Sequence, residues 1–97
     1  MTDTKIIPIN ITETAKTEVI RALGIKGIPE NYFLRVGLRG GACSATYLIG
    51  FDKMTEHDEL YEINDLKVLI DKRHLMYLIN IELDFEEEGN GFTFNKL

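Results

Sequence analysis

The residues most able to do chemistry in this sequence are one cysteine and two histidines, Cys43, His57 and His74. Cys43 lies within "GGACSATY" at residues 40–47, where glycine, alanine and serine surround it. Small neighbours leave room for a metal, a ligand or a partner chain to approach the sulfur. A cysteine thiolate is a ligand for soft metals. The pattern therefore predicts Cys43 as a ligand, and an inert cysteine is the alternative.

The two histidines occupy different settings. His57 lies in the acidic stretch "MTEHDE" at residues 54–59, which can hold a hard cation loosely but is more typical of a solvated loop. His74 precedes the apolar "LMYLI" and is more typical of a helix-face or capping histidine than of a metal ligand.

Catalysis has little support in the sequence. There is no Ser-His-Asp order at usable spacing, no glycine-rich phosphate loop and no zinc-ligand quartet. A Cys43–His74 nucleophile pair is conceivable, but nothing in the sequence brings the two side chains together. Arg35 and Arg39 precede Cys43 and would favour its thiolate form if they faced it, or else act as solubilising charges. We therefore expect a protein that is not an enzyme.

The composition limits the class of protein. With 97 residues, 44% hydrophobic and 28% charged, the sequence predicts a single globular domain over residues 1–97. The 16 acidic residues outnumber the 11 basic ones, and the formal charge of −5 argues against nucleic acid as a partner. A single cysteine excludes an intrachain disulfide and is typical of a reducing compartment. No signal peptide or membrane-length apolar run is visible, so we expect a cytoplasmic protein without a membrane partner.

The elements that must position these residues follow from hydrophobic periodicity. One helix is predicted within residues 10–27, with Thr12 as its N-cap and a buried stripe at Ala15, Val19, Ala22 and Leu23. Alternating residues then predict strands at "NYFLRVGLRGG", "TYLIGFD", "LYEI", "KVLID", "IELDFEEE" and "GFTF", with a short inserted helix in "KRHLMYLIN". Asn64 and Asp65 are predicted turn residues between "LYEI" and "KVLID". The result is an α+β domain of short, mostly antiparallel strands in a curved or sandwiched sheet. Cys43 lies between the first two strands.

These blocks, in this order, resemble the HesB/IscA family of A-type iron–sulfur cluster carriers. That family has a strand ending in Gly-Cys-Ser, then blocks of the form V-D-x-x-S-L-x-Y-L, L-D-[YF] and G-F-x-[FI]-x-N-P. Here the corresponding stretches are "GGACSATY", "VLIDKRHLMYLINIELDF" and "GFTFN". The resemblance covers residues 9–95 and implies a small HesB-like fold, often dimeric or tetrameric. It also implies that iron or an iron–sulfur cluster is held and handed to apo-proteins, and that apo-proteins or the assembly machinery are partners.

The sequence also departs from that family. Members usually carry a C-terminal Cys-Gly-Cys, whereas this sequence ends in "FNKL", so it is interpreted as a degenerate member. Of the family's ligands, only Cys43 is carried over by position. His74 stands where the family block has serine, and it is the histidine we favour as a second metal ligand because it lies inside that block.

The resemblance leaves two functions open. In the first, a weakly bound iron or iron–sulfur cluster is held by Cys43 across a homodimer, since one thiol cannot supply the usual four thiolates. Histidine, carboxylate, water or a small thiol would complete such a site. In the second, the same fold is a structural or interaction module without a cluster. Both include a homo-oligomer, and we expect the strands "VLID" and "GFTF" to offer the sheet edges for it.

Overall fold

The computed structural model describes residues 7–25, 27–40 and 46–97. In chain order the described elements are β1 (Ile9–Ile11), α1 (Glu13–Ile25), β2 (Tyr32–Arg39), β3 (Thr46–Lys53), β4 (Asp58–Ile63), β5 (Leu66–Asp71), α2 (Leu75–Leu78), β6 (Ile81–Glu86) and β7 (Gly91–Lys96). The α+β prediction is confirmed, with one main helix and one short inserted helix. The sequence analysis did not predict β1, because three residues are too few to show a period.

The strands form two sheets. One has the order β1-β6-β7, and the other has the order β3-β2-β5-β4. The β1–β6 and β2–β5 pairs are parallel, while β2–β3, β4–β5 and β6–β7 are antiparallel. The expectation of mostly antiparallel strands is therefore confirmed. The "VLID" segment lies in β5, which has neighbours on both sides, so its predicted role as an exposed edge is wrong. The "GFTF" segment lies in β7, which is an edge strand.

A single hydrophobic core joins the two sheets and both helices. Its buried members are Ile9, Ile11, Ala15, Val19, Leu34, Val36, Tyr61, Ile63, Leu66, Val68, Ile70, Leu78, Ile81 and Leu83. The partly buried aromatic residues Phe51, Phe85, Phe92 and Phe94 pack against its margin. Burial alternates along β1 and β6, as expected for strands with one inward face, whereas Val68, Leu69 and Ile70 of β5 are all buried.

The start of α1 is held by Thr12. Its Oγ1 accepts a hydrogen bond from the backbone N–H of Ala15 at 3.1 Å and donates one to Asp84 Oδ1 at 2.6 Å. The predicted N-cap is therefore confirmed, and the same hydroxyl ties the helix to β6. The predicted buried stripe is only partly right. Ala15 and Val19 are buried, but Leu23 is 37% exposed because the last turns of α1 lie over a surface groove instead of the core.

The β4–β5 hairpin turns at Asn64 and Asp65, as the sequence predicts. Their φ angles are 51° and 67°, and Ile63 pairs with Leu66 on either side. Two consecutive residues with positive φ form the turn that matches the twist of antiparallel strands, and asparagine and aspartate tolerate this conformation. The turn fixes the register that places Asp58 opposite Asp71 at the far end of the hairpin.

Candidate functional site

Cys43, the first predicted ligand, lies outside the described residues. The strands on either side of its segment are described, and they pair antiparallel over their whole length, ending with Arg39 opposite Thr46. The two strands predicted on either side of Cys43 are therefore confirmed, and they form an antiparallel pair. Cys43 as an iron ligand stays a prediction.

A cleft of about 830 Å³ lies at the same end of this hairpin. The described residues that line it are Leu38, Gly40, Tyr47, His74, Met76, Tyr77, Ile79, Asn80, Ile81, Lys96 and Leu97. They come from the end of β2 and the residue after it, the first residues of β3, the α2 region, the start of β6 and the end of β7. The cleft is therefore built where both sheets meet the short helix.

His74, the second predicted ligand, lines this cleft and contacts β2. The backbone N–H of Leu38 donates a hydrogen bond to His74 Nδ1 at 3.3 Å. A Cβ atom added to Gly37 would lie 3.0 Å from the same nitrogen, so the close approach of the ring depends on a glycine at that position. The helical environment predicted for His74 is also confirmed, since it is the N-cap residue of α2, although its side chain makes no capping hydrogen bond.

The backbone N–H of Leu38 can bond to His74 because β5 pairs with β2 only up to Arg35. The parallel pairs between the two strands are Leu34 with Val68 and Arg35 with Leu69, and β5 ends at Asp71. The His74 ring then occupies the side of β2 that a continuing strand would have covered. An unpaired backbone N–H costs free energy when water cannot reach it, so the imidazole replaces a missing strand partner.

This contact determines which ring nitrogen of His74 carries the proton. An N–H that points at Nδ1 requires a lone pair there, so the neutral ring has its proton on Nε2. Coordination of a metal by Nε2 needs the opposite tautomer, with a proton on Nδ1, which would set two N–H groups against each other. His74 as a metal ligand stays a prediction, and it requires the Leu38 hydrogen bond to break.

Asp71 fixes the turn that presents His74, and the sequence analysis did not identify it. Its carboxylate accepts hydrogen bonds from the backbone N–H of Arg73 at 2.8 Å and from the Arg73 guanidinium at 3.0 and 2.6 Å. Its carbonyl accepts the backbone N–H of His74 at 2.8 Å. The Arg73 hydrogen bond holds the pKa of Asp71 well below its usual range. The signal in the sequence was an aspartate at the end of an apolar strand followed by a basic pair.

Arg35 forms ion pairs with residues that do not line the cleft. Its guanidinium donates to both oxygens of Asp58 at 2.7 and 2.6 Å and to Asp52 Oδ2 at 3.1 Å. The Arg35 hydrogen bond lowers the pKa of Asp58 from 3.8 to about 2. Arg35 is therefore neither a free solubilising charge nor an unpaired cation available to Cys43. Arg39 is exposed.

The interpretation of "MTEHDE" as a solvated loop is wrong at Asp58 and right at His57. The Asp58 side chain is fully buried because Arg35 reaches it from β2 and Thr55 donates to it from its backbone and its hydroxyl. His57 is exposed, with Nε2 3.7 Å from Glu56. Among residues 7–25, 27–40 and 46–97, no three His, Cys, Asp or Glu side chains are grouped so that they could hold a metal ion.

Large apolar side chains surround the cleft and face solvent. Four of its lining residues form this apolar rim, with exposed fractions of 71% for Met76, 59% for Tyr77, 43% for Ile79 and 72% for Leu97. Exposed apolar side chains grouped at the edge of a cleft are typical of an interaction surface.

Comparison with known proteins gives the class of this molecule. Residues 7–96 match the family model described as iron–sulphur cluster biosynthesis, so the chain belongs to that family. It is similar to the iron-binding protein IscA of Xenorhabdus nematophila, with 36% identity over 91 residues that cover 90% of this chain and 83% of that protein. The resemblance to the HesB/IscA family is confirmed.

In the described ranges, neither helix has the length and apolar character that crossing a membrane requires.

Solved structures agree with the fold. The crystal structure of Escherichia coli SufA, a protein involved in biosynthesis of iron–sulfur clusters, matches at a TM-score of 0.76 over 98% of this chain and 85% of that chain. The identity in that match is 19%, so it shows the fold alone. A solution structure of a protein from Aquifex aeolicus matches at a TM-score of 0.66 with 30% identity, over the full length of both chains.

Proposed function

We propose that this protein binds iron or an iron–sulfur cluster weakly through Cys43, across a homodimer, and transfers it to apo-proteins. The cluster is cargo in this function, and the protein is a carrier rather than an enzyme. The observation that carries the proposal is the position of the 830 Å³ cleft at the end of the β2–β3 hairpin, whose connecting segment contains Cys43. Membership of the cluster biosynthesis family supports the same conclusion.

The donor set explains why the binding is expected to be weak. Iron in sulfide clusters is ordinarily held by four thiolates, and these 97 residues contain one cysteine. A symmetric dimer supplies two Cys43 thiolates, and the remaining positions are filled by water, carboxylate, histidine or a small thiol. Rieske-type centres show that histidine can replace cysteine on one iron. For His74 to do so through Nε2, the hydrogen bond from the Leu38 N–H to its Nδ1 must break.

The apolar rim of Met76, Tyr77, Ile79 and Leu97 supports self-association. A second copy that covers this rim would remove it from water, which is the main driving force for association. It would also bring the cleft ends of the two β2–β3 hairpins toward each other, because Leu38 of β2 and Tyr47 of β3 line the same cleft. Oligomerisation and ligand sharing are therefore proposed to use the same surface.

The test of ligand binding is anaerobic reconstitution with iron, sulfide and added thiol, followed by ultraviolet–visible spectra and iron analysis. We expect absorbance in the visible range, less than one cluster per chain, and rapid loss of colour to a chelator. Cys43→Ser should abolish the absorbance, and Ser44→Ala, which keeps the thiol in the same segment, should retain it. Equal spectra for wild type and Cys43→Ser would refute Cys43 as the ligand.

The test of self-association compares two exposed methionines by light scattering. Met76, 71% exposed, lies on the apolar rim, and Met54, 51% exposed, does not line the cleft. Met76→Glu should shift the protein toward monomer, whereas Met54→Glu should leave the mass unchanged. A strictly monomeric wild type at high micromolar concentration would contradict the dimer.

The second candidate function is an interaction module that carries no cluster. The exposed apolar rim favours it independently of Cys43, since such a surface can dock a partner without any metal. The reconstitution experiment separates the two functions. A protein that dimerises through the rim but takes up no iron would leave the interaction module as the function.

A further inference from the structure

The single turn of α2 holds two side chains in solvent. Leu78 is fully buried in the core, and Leu75 packs against that core. Residues three positions apart share one face of a helix, so the residues between these two anchors face the other way. Those residues are Met76 and Tyr77, and both are exposed. Met76 therefore cannot turn inward while Leu75 and Leu78 hold the turn in place.

Met76 gives the apolar rim an oxidisable sulfur. Its thioether is apolar and polarisable, which suits a contact between apolar surfaces. Oxidation converts it into a sulfoxide, which is polar, and the conversion is reversible. Met54, the other methionine in residues 7–25, 27–40 and 46–97, is also exposed but does not line the cleft. The chain therefore offers the same chemistry once on the rim and once away from it.

We propose that Met76 is a redox-sensitive modification site, at which oxidation by hydrogen peroxide to the sulfoxide dissociates the dimer formed through the apolar rim. This regulation rests on the proposed function, because it requires that the rim joins two copies of the chain. The sulfur lone pair attacks one peroxide oxygen and the O–O bond breaks. The leaving hydroxide takes up a proton and becomes water, so the sulfur loses the pair of electrons that the peroxide gains.

The symmetry of a dimer doubles the effect of the added oxygen. Both copies contribute the same surface to a two-fold contact, so the contact contains Met76 twice. A polar oxygen buried in an apolar contact without a hydrogen-bond partner weakens association by about tenfold. Oxidation of both copies should therefore weaken the dimer by about 100-fold. At Met54 the added oxygen stays in water, so it should not change association.

The form of the protein that reacts is the free chain, in which Met76 is exposed. The rim has four apolar side chains, whereas a stable interface uses about 20–30 residues a side. The dimer should therefore exchange with monomer, and peroxide should reach Met76 during each dissociation. Because the contact and the oxidation exclude each other, dimer formation should protect Met76 by the same linkage through which oxidation weakens the dimer.

The first experiment follows oxidation of the wild-type protein by hydrogen peroxide at a low and a high protein concentration. Peptide mass mapping gives the rate of sulfoxide formation at each methionine. The rate at Met76 should fall several-fold at the high concentration, and the rate at Met54 should not change. A rate at Met76 that ignores protein concentration, in a protein that light scattering shows to dimerise, would overturn the proposal.

The second experiment measures the dimer by light scattering before and after peroxide. Every protein carries Cys43→Ser, so that oxidation of the thiol does not contribute. Met76→Leu keeps an apolar side chain that peroxide does not oxidise, and it should remain dimeric. Met54→Leu should lose its dimer as the parent does. Methionine sulfoxide reductase should restore the parent dimer, as the sulfoxide oxygen leaves in water and two thiols of the reductase form a disulfide.

The outcomes separate this regulation from the proposed function. A dimer that survives complete oxidation of Met76, or a Met76→Leu dimer that peroxide dissociates equally, would overturn the regulation and leave self-association in place. Circular dichroism of the oxidised protein should be unchanged, and loss of the fold would also overturn it. A protein that is monomeric before any peroxide is added would refute the rim dimer of the proposed function, and the regulation with it.

Discussion

Tyr47 of β3 stacks on Phe94 of β7, with ring centroids 4.8 Å apart and an angle of 14° between the ring planes. The two residues belong to different sheets, and Tyr47 lines the cleft. Because both strands are sheet edges, this pair closes one side of the two-sheet structure next to the candidate site. Phe94 also packs against the shared core, so the stack links the cleft to the interior.

Removing the Phe94 ring should destabilise the protein strongly. Phe94→Ala should lower the free energy of unfolding by about 3 kcal/mol, because it removes both the stacked pair and packing against the core. Tyr47→Leu should cost about 1 kcal/mol, since most of its apolar contact is kept. Chemical denaturation at a fixed protein concentration measures both. Met54→Leu, at an exposed residue that does not line the cleft, is the control and should change stability little.

Gly37→Ala should disturb His74. The new Cβ would lie 3.0 Å from His74 Nδ1, so the ring must move away and the Leu38 hydrogen bond should weaken. We expect a loss of about 1–2 kcal/mol in stability. The control is Gly50→Ala on β3, where an added Cβ has no atom within 4 Å. If the two variants lost the same stability, the close approach of His74 to β2 would be refuted.

The Arg35–Asp58 pair should make stability depend on acid pH. Asp58 has its pKa lowered to about 2, so its contribution is complete above about pH 4 and is lost as the pH falls towards the folded-state value. Asp58→Asn should cost about 3 kcal/mol at neutral pH, because it leaves the Arg35 charge without its main partner. That cost should shrink by about 2 kcal/mol between about pH 4 and about pH 2.

The control for the acid effect is Asp52→Asn. Asp52 also contacts Arg35, but its side chain is 53% exposed, so we expect a loss of less than about 1 kcal/mol. Denaturant titrations of the three proteins across the acid range provide the comparison. A cost of Asp58→Asn that stays constant with pH would contradict the lowered pKa.

The N-cap of α1 should contribute more than an ordinary helix cap. Thr12→Ala removes the hydrogen bond from Ala15 and also the one to Asp84, so we expect a loss of about 2 kcal/mol, at the upper end for a cap. Thr17→Ala is the matched control, because Thr17 is exposed and only bonds back to the carbonyl of Glu13 within the helix. Equal unfolding midpoints for the two variants would show that the hydrogen bond from Thr12 to Asp84 in β6 adds no stability.

Sequence reasoning succeeded where the determining interactions are local. The capping hydrogen bond of Thr12 spans three residues, and the turn at Asn64 and Asp65 depends on the φ preferences of those two residues. The alternation of Leu34 and Val36 with polar residues predicted β2 for the same reason. Each of these features can be evaluated from a short window of sequence.

The sequence also determined the family and the single thiol, since these depend on residue identity and order along the chain. Cys43 was identified without any coordinates, because it is the one cysteine and it follows a strand that matches a family block. Its small neighbours and the strands on either side were equally visible. The expectation of a cluster assembly protein therefore came from the sequence and was confirmed at the level of the family.

Only the tertiary structure decided what the charged and ring side chains contact. Leu38 and His74 are 36 positions apart, and Arg35 and Asp58 are 23 apart, so no local pattern links them. Their contacts depend on β5 lying beside β2, on the early end of β5, and on the absence of a side chain at Gly37. Strand pairing over such distances is set by the burial of both sheet faces together. For this reason the sequence alone could not show that His74 Nδ1 accepts a hydrogen bond from the Leu38 N–H.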